Sequence, residues 1–536
     1  MERSGDNETA QWIVARQFKS KAFDALDPLS SQLLHLKMQE FPFAYEKFAP
    51  TTWAYLSSLL MLAIFFKFNR FWSFRNFDLL LIVLLAPGIL LVDFGNRVST
   101  SPPAQTATLE SQSLQSDAKG AENSVDDNTD NETLSVSSPT TETPNDVQPA
   151  NEWSLIGYYW LLSMSLVFLI RMLIDPILVR RPLLTPNLSV GGLVFLMCSL
   201  MTVLFANIIT AQPTADDVAS ARSAIKMIQR EAAEEGETAD LAKRGPGFPL
   251  FQLFPIIPTF VSGEELLAID ADEDRNVARY AIASKTLAII SQSLLVLGLI
   301  LIGSNLFKDA RIGFGMAVIY LMLPYTAQYT GHLMHVLPGA LLVWAVVAFR
   351  RPFSAGIFIG LATGVSYYPL FLLPLWASYY WEKGSKRFFG GVLLSIAVCI
   401  GTLIFTSLDL QHFLQQLSAT FGFWIPKMSG LDGIWGMAWD SAYRLPILVA
   451  FIALCVSFIF WPTKKHSGTL ISYTCAVMVA VQLWHGFEGG LIMAWYLPLA
   501  LATIFRPNLE GTTAKSELNR VRKRAPESEE ALLLDS

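Results

Sequence analysis

Two adjacent carboxylates, Asp216 and Asp217, have the residue type and the position that a general base requires. They follow an apolar run and begin a stretch in which aliphatic residues recur every three or four positions, the pattern of an amphipathic helix. A carboxylate fixed near a membrane surface could accept the proton of a hydroxyl whose reaction partner is anchored in lipid. A structural role is the alternative, because Thr214 and Asp217 form a T-x-x-D capping box. Asp93, at the outer end of an earlier apolar run, is the competing carboxylate, for which contact with water is the alternative.

Four further side chains could bind an anionic group: His332, His335, Lys285 and Arg444. His332 and His335 are three positions apart, so one helix face would carry both imidazoles within reach of a phosphate or a metal ion. Two histidines without a third ligand are a weak metal signal, and hydrogen bonding at a helix end is the alternative, so we expect no metal. Lys285 and Arg444 stand at the outer ends of apolar runs, where cations commonly extend towards water. Together they could hold the phosphate of a lipid carrier.

Other motifs with a defined chemistry are missing or ambiguous. His485 and Glu488, also three positions apart, allow the same two interpretations as the first histidine pair. The sequence has no Gly-rich phosphate loop, Walker motif, haem motif or G-x-S-x-G elbow, so we expect no nucleotide-driven chemistry and no cofactor. The four cysteines lie in apolar runs without C-x-x-C spacing, which supports neither a zinc site nor a disulfide framework. No clustered basic face suggests nucleic acid.

The composition indicates that membrane-spanning helices position these candidate site residues. The 536 residues are 52% hydrophobic and 16% charged, whereas a soluble domain carries roughly a quarter charged residues. The apolar residues occur in blocks long enough to cross a hydrocarbon core, which takes about 20 residues. This excludes a soluble enzyme, a secreted scaffold and a disordered protein. We predict an all-α polytopic membrane protein with about eleven spans, at 51–66, 79–95, 153–170, 190–208, 282–303, 312–328, 333–349, 388–405, 445–461, 469–485 and 489–505.

The loops between the predicted spans alternate in basic residues, which indicates the orientation. One set of loops is basic, with Lys67, Arg70, Arg75, Arg171, Arg180, Arg181, Lys308, Arg311, Arg350, Arg351, Lys464, Lys465 and Arg506. The opposite short loops, 329–332 and 486–488, have no Lys or Arg. By the positive-inside rule the basic loops and the tail 506–536 are cytoplasmic in a cell membrane.

The remaining parts of the chain follow from this orientation. The acidic loop 96–152 is expected to be extracytoplasmic and disordered, and it separates two N-terminal membrane segments in 51–95 from a membrane domain in 153–505. The membrane domain carries the extracytoplasmic loops 209–281 and 406–444. The first 40 residues lack the apolar core of a signal peptide. Residues 1–50 lie outside if 51–66 spans the membrane and inside if that block lies in the interface.

Three apolar stretches do not fit the span pattern: 245–260, 352–382 and 406–444. Residues 352–382 would be about 46 Å long as one helix, too long for one span. Basic residues flank this stretch on both sides, and it is interrupted by Gly360, Gly364, Pro369 and Pro374. We expect a pair of short helices that enter and leave from the cytoplasmic side, with one tilted helix as the alternative. The other two stretches are aromatic and rich in Pro or Gly, and they could lie along the membrane surface or line a substrate cavity.

Two stretches carry a family resemblance: YTGHLMHVLPGALLVWAVVAFRRP (329–352) and AGIFIGLATGVSYYPLFLLPLWASYYW (355–381). They resemble the polytopic GT-C glycosyltransferases, most closely bacterial mannosyltransferase-like members that use polyprenyl-phosphate sugars. In that family a K-x-x-P type turn follows a Gly-rich short helix; here the turn is Ser366-Tyr367-Tyr368-Pro369, without the lysine. The family's catalytic Asp precedes an amphipathic helix in the first large outer loop, a placement similar to TADDVASARSAIKMI (214–228), and GFPLFQLF (247–254) resembles a later part of that loop. The similarity covers roughly residues 190–505.

The resemblance implies transfer of a sugar, with inversion, from a polyprenyl-phosphate donor to an acceptor on the outer side of the membrane. Asp216 or Asp217 would deprotonate the acceptor hydroxyl. Arg444, Lys285 or His332 would stabilise the leaving lipid phosphate, because its developing charge requires a preorganised cation. The implied partners are the bilayer, a lipid-linked sugar donor and an acceptor that the sequence does not identify.

Two other functions stay open. A transporter or flippase would use residues 352–382 as a moving gate and would need charged residues at mid-membrane, which the predicted spans almost lack. A non-catalytic membrane scaffold is the other alternative, because the lysine of the family's turn is missing.

Overall fold

The computed structural model describes the chain in separate stretches, which are helical or irregular. They are residues 48–68, 71–100, 149–178, 185–211, 245–259, 273–407, 433–463, 465–487 and 491–509, with isolated positions at 219–224 and at 409–431. Apart from Phe48 they belong to one compact unit, Ala49–Ser536. These stretches contain no β-strand, so the prediction of an all-α protein is confirmed for the part of the chain that they cover.

The helices are numbered in chain order. They are α1 (Pro50–Phe65), α2 (Phe74–Val83), α3 (Leu85–Thr100), α4 (Pro149–Ile174), α5 (Val190–Thr210), α6 (Phe248–Thr259), α7 (Glu273–Leu301), α8 (Ala310–Met322), α9 (Pro324–Tyr329), α10 (Leu333–Val347), α11 (Pro352–Val365), α12 (Leu373–Tyr379), α13 (Ser385–Thr406), α14 (Ile434–Met437), α15 (Arg444–Phe460), α16 (Ser467–Trp484) and α17 (Leu497–Phe505). Short 3₁₀ turns include Asp175–Ile177, Tyr368–Leu372 and Met493–Trp495.

Seven helical stretches of the described chain are long and apolar enough to cross a membrane: Phe74–Val98, Glu152–Ile177, Val190–Thr210, Arg279–Leu306, Ser385–Ile404, Ser441–Phe460 and Ser467–Trp484. Each coincides with one predicted span, as expected of an α-helical multi-pass membrane protein. The other four predicted spans, 51–66, 312–328, 333–349 and 489–505, contain shorter apolar helices. One of them ends early because Pro324 lacks a backbone N–H, so the chain leaves the helix at Leu323 and starts a new one. The total number of spans stays a prediction.

The two ends of the stretch 352–382 lie close together, as expected of a hairpin. The Tyr380 hydroxyl donates a hydrogen bond to the Phe349 carbonyl at 2.5 Å, across the two ends. Gly384 follows with a φ of 100°, a left-handed conformation that favours glycine, and it lies against Pro352 at the start of α11. The hairpin therefore consists of α11, an irregular turn and the returning helix α12.

The glycines of α11 pack this helix against α13 and do not interrupt it, which corrects the expectation from sequence. A Cβ on Gly356 would lie 2.2 Å from the carbonyl oxygen of Phe388, and one on Gly364 would lie 2.3 Å from a sulfur atom of α13. Small residues at four-residue spacing permit this close approach of two backbones. The helix ends at Ser366, whose extended backbone begins the irregular turn, residues 366–372, here named the hairpin tip.

Basic side chains from several of the predicted cytoplasmic loops meet at one end of the bundle. Lys67 donates to the side-chain oxygen of Asn187 at 2.6 Å, and Arg311 donates to two carbonyls in residues 186–188 at 2.8–3.1 Å. Arg506 lies at the same end, because the ring of the preceding Phe505 packs against that of Phe65, the last residue of α1, with the centroids 5.8 Å apart. The alternation of basic loops in the sequence therefore corresponds to a grouping in space.

A buried network of two aspartates and two arginines lies in this region, and the sequence did not predict it. Arg171 donates two hydrogen bonds to Asp78, at 2.5 and 2.6 Å, and a third to Asp175 at 3.0 Å. Arg506 donates twice to the other oxygen of Asp175, at 2.9 and 2.6 Å. All four side chains are at most 8% exposed, and their charges cancel. The network connects α2, α4 and the end of α17.

Candidate functional site

The stretches 245–260, 352–382 and 406–444, which do not fit the span pattern, each contribute residues to the hairpin tip. From the first stretch, Gly245 and Gly247 donate backbone hydrogen bonds to the last two residues of α11, each at 2.8 Å. A Cβ on Gly245 would lie 2.1 Å from the carbonyl oxygen of Gly364, so glycine is required for this approach. From the stretch 406–444, Arg444 at the start of α15 interacts electrostatically with Tyr367 and Tyr368 of the tip.

Arg444 is a buried cation at this tip, with 4% of its surface exposed. Its Nε donates to the carbonyl of Trp484 at 3.0 Å, and that carbonyl belongs to the C-terminal end of α16, where a positive charge is favoured. Gly486 lies against the guanidinium, since a Cβ there would be 2.8 Å from an Nη atom. The phenols of Tyr367 and Tyr368 are also within electrostatic range. The carbonyl and the two phenols carry no formal charge at neutral pH.

Aromatic rings surround the hairpin tip. Tyr368 stacks on Tyr367 with the ring centroids 4.0 Å apart. The ring of Tyr368 also lies 4.6 Å from that of His485 and 5.5 Å from that of Trp495. The His485 ring is held by Phe487, whose carbonyl oxygen is 2.7 Å from Nδ1. The surroundings of the tip are therefore mainly aromatic, with a few polar atoms.

The polar atoms at the tip that are buried without a hydrogen-bond partner in the described part of the chain include Ser366 Oγ and Trp484 Nε1. The ring of Trp484 lies 5.4 Å from that of Tyr368. A buried polar atom without a partner costs about 1–3 kcal/mol, so such atoms call for a ligand or a water molecule. Together with Arg444, they offer a cation and two donors in an apolar surrounding, a combination suited to a phosphate oxygen.

His332 and His335 lie in a second cluster with Tyr325 and Tyr329, at the beginning of α10. The Tyr325 hydroxyl and His335 Nδ1 are 2.6 Å apart, and the ring of Tyr329 stacks on that of His335 at 5.0 Å. The two imidazoles are 5.4 Å apart, as their spacing predicts. Trp495 joins the clusters, because its Nε1 donates to a backbone carbonyl between the two histidines at 3.1 Å while its ring faces the hairpin tip. No group of three or more His, Cys, Asp or Glu in the described chain could hold a metal ion.

The other predicted site residues lie elsewhere. Asp216 and Asp217 fall outside the described residues. Lys285 donates to a carbonyl in the last turn of α5 at 2.8 Å. Asp93 pairs with an arginine one turn later on α3 at 3.0 Å. Of the two cations that were expected to act together, the structure brings only Arg444 to the hairpin tip.

Sequence reasoning assigned no role to several residues at the tip: Ser366, Tyr368, Trp484 and Trp495. The signal that could have identified them is the polar and aromatic run at the break of an otherwise apolar hairpin, since a break at membrane depth is tolerated only within protein or around a wet cavity. Tyr368 is more than a hundred positions from Trp484 and Trp495, whose rings it contacts, so no local pattern joins them.

Comparison of the chain with family models, with curated proteins and with solved structures finds no match. Its function therefore has to be inferred from the site itself.

Proposed function

We propose that the protein is an integral membrane glycosyltransferase that transfers a sugar from a polyprenyl-phosphate donor to an acceptor on the outer side of the membrane, with its C-terminal tail in the cytoplasm. The observation that carries the proposal is the buried Arg444 at the hairpin tip, where Ser366 Oγ and Trp484 Nε1 are also buried and have no hydrogen-bond partner in the described part of the chain. A lipid phosphate would offer a negative charge to the guanidinium and oxygen acceptors to the two polar atoms.

The position of Arg444 supports this proposal in a second way. The turn Ser366-Tyr367-Tyr368-Pro369 lacks the lysine expected from the family resemblance, and Arg444 brings a positive charge to this turn from another part of the chain. A guanidinium can bind a phosphate through two parallel N–H donors, which an ammonium cannot do. We therefore assign to Arg444 the role of stabilising the phosphate as it leaves.

The proposed reaction is a single displacement at the anomeric carbon. The acceptor hydroxyl oxygen forms a bond to this carbon from the face opposite the phosphate, and the carbon–oxygen bond to the phosphate breaks. The phosphate oxygen keeps the bonding electron pair, and the new negative charge is stabilised by Arg444, Ser366 and Trp484. The hydroxyl proton passes to Asp216 or Asp217. Because the attack comes from the face opposite the phosphate, the sugar is transferred with inversion.

The test measures transfer from radiolabelled polyprenyl-phosphate mannose or glucose by the full-length protein in vesicles, with a membrane extract as the source of acceptors. We expect Asp216→Asn or Asp217→Asn to abolish transfer, and Arg444→Gln to slow it by about 10²- to 10³-fold, the effect of removing a preorganised donor from an oxyanion site. Arg97→Gln is the matched control, because the Arg97 side chain is 62% exposed and pairs with its helix neighbour Asp93 at 3.0 Å.

Binding of unlabelled polyprenyl phosphate, measured separately, distinguishes the two roles. Arg444→Gln should weaken this binding, whereas neither aspartate substitution should change it. Wild-type transfer by both aspartate variants would exclude them as the general base and would leave Asp93 as the candidate, whereas the absence of transfer by the wild-type protein itself would count against the transferase. Wild-type phosphate binding by Arg444→Gln would disprove the phosphate site.

A second candidate, transport of the lipid-linked substrate across the membrane, is favoured by the buried network of Asp78, Arg171, Asp175 and Arg506. Ionisable residues buried in a membrane bundle commonly mark a substrate or ion path. Movement of a fluorescent polyprenyl-phosphate analogue across the vesicle membrane, without any transfer of sugar, would favour transport over the transferase.

A further inference from the structure

A cavity of about 550 Å³ opens beside the turn between α1 and α2. Its walls are mainly aromatic, with six rings from Phe66, Phe68, Phe71, Trp72, Phe74 and Phe77. It lies at the basic end of the bundle and is far along the chain from every residue of the hairpin tip. The proposed transferase does not use it.

Hydrogen bonds of Asn76 connect the described residues on the two sides of this turn. Asn76 accepts a hydrogen bond from the backbone N–H of Lys67 at 3.2 Å and donates to the carbonyls of Lys67 and Phe71 at 3.0 and 3.3 Å. The ring of Phe66 packs edge to face against those of Phe68 and Phe71, at 4.9 and 5.6 Å. The aromatic side chains are therefore held apart around the cavity by the backbone of the turn.

The aromatic side chains are also unusually exposed. Trp72 is 96% exposed and Phe68 is 75% exposed. A water-soluble surface rarely presents so many aromatic rings together, whereas such rings are common where a membrane helix meets the lipid headgroups. Lipid acyl chains are present at this level of a membrane protein, and they match the apolar lining of the cavity.

Positive charge lies at the edge of the same turn. Lys67 stands between two cavity residues, and its Nζ bonds the side-chain oxygen of Asn187. Arg311 bonds backbone carbonyls beside Asn187. These acceptors are neutral, so they leave the positive charges available to an anionic group at close range.

We propose that this cavity binds an anionic membrane phospholipid, with one acyl chain between the aromatic rings and the headgroup phosphate near Lys67. The apolar lining selects a lipid chain, and the adjacent cations select the headgroup charge.

Native mass spectrometry of the full-length protein tests the proposal, with phosphatidylglycerol and phosphatidylcholine of identical acyl chains added in equal amounts. We expect the wild type to retain phosphatidylglycerol preferentially. Trp72→Ala should weaken its retention about tenfold, because a large ring that covers the chain is lost. Trp381→Ala is the matched control, since Trp381 is also an exposed tryptophan, with 75% of its surface accessible, and it lines no part of the cavity. Lys67→Gln should reduce the preference for phosphatidylglycerol, because one of the two adjacent cations is lost.

Circular dichroism and gel filtration of each variant show whether it keeps the wild-type fold; Trp72 makes little packing contact that could be lost. Equal retention of both lipids by the wild type would overturn the proposal. Wild-type retention by Trp72→Ala would overturn it as well, and would indicate that another segment of this chain fills the cavity.

Discussion

Substitution of Arg506 by glutamine tests whether the buried ionic network holds the C-terminal end of the bundle in place. Arg506 donates two hydrogen bonds to Asp175, at 2.9 and 2.6 Å, and the two side chains are 3% and 0% exposed. Without Arg506, Asp175 loses two hydrogen bonds and keeps the 3.0 Å bond from Arg171, and the four-residue network has a net charge of about −1. A hydrogen bond to a charged group contributes about 1.5–3 kcal/mol, and removal of one partner from a buried ion pair costs about 3–5 kcal/mol. We expect the free energy of unfolding to fall by about 3–5 kcal/mol.

Unfolding of the full-length protein in mixed micelles with increasing dodecyl sulfate, followed by circular dichroism, measures this free energy. Arg97→Gln is the control, because Arg97 pairs with Asp93 at 3.0 Å but is 62% exposed, so its loss should cost at most about 1 kcal/mol. The double variant Asp175→Asn/Arg506→Gln restores neutrality, and we expect it to be less destabilised than the sum of the single variants.

A loss below about 1 kcal/mol for Arg506→Gln, equal to that of the exposed control, would refute the reasoning. Strictly additive effects of the two network substitutions would also refute it, because residues that share two hydrogen bonds must be coupled.

The close packing of glycines leads to two further predictions. Gly356→Ala places a Cβ 2.2 Å from the carbonyl oxygen of Phe388, so it should separate α11 from α13 and lower the free energy of unfolding by about 1–3 kcal/mol in the same assay. Gly390→Ala has no neighbour within 4 Å, and it should be neutral or stabilise the helix by up to about 1 kcal/mol; equal losses for both variants would contradict the packing argument. Gly468→Ala places a Cβ 2.4 Å from an Nη atom of Arg506, so it should destabilise the wild type more than it destabilises the Arg506→Gln variant.

Much of the helical framework could be predicted because a span is a local property. Twenty consecutive apolar residues identify it, whatever they pack against. The exceptions have local causes as well: Pro324 divides one predicted span into two helices, and the glycines of α11 proved to be a packing surface. Glycine spacing is ambiguous in a sequence, because the same residue type that weakens a helix also lets two helices approach closely.

The candidate site could be predicted only in part. Arg444 was identified because a cation at the end of a span is conspicuous, and the two histidines because three-residue spacing places them on one helix face. The partners of Arg444 could not be identified, because Tyr368 and Trp484 are far from it in the chain and look like ordinary apolar residues. Asp216 and Asp217 stay predictions.

The amino-acid sequence by itself determined that the chain is a helical membrane protein, which loops are basic, and which three stretches do not fit a simple span. These properties depend on composition within a short window. Only the tertiary structure decided that the stretches 245–260 and 406–444 contribute residues to the hairpin tip of 352–382. It also decided that Asp78, Arg171, Asp175 and Arg506 form one neutral network. The physical reason is that a buried charge or polar atom must find partners nearby in space, and the packing of distant helices chooses those partners.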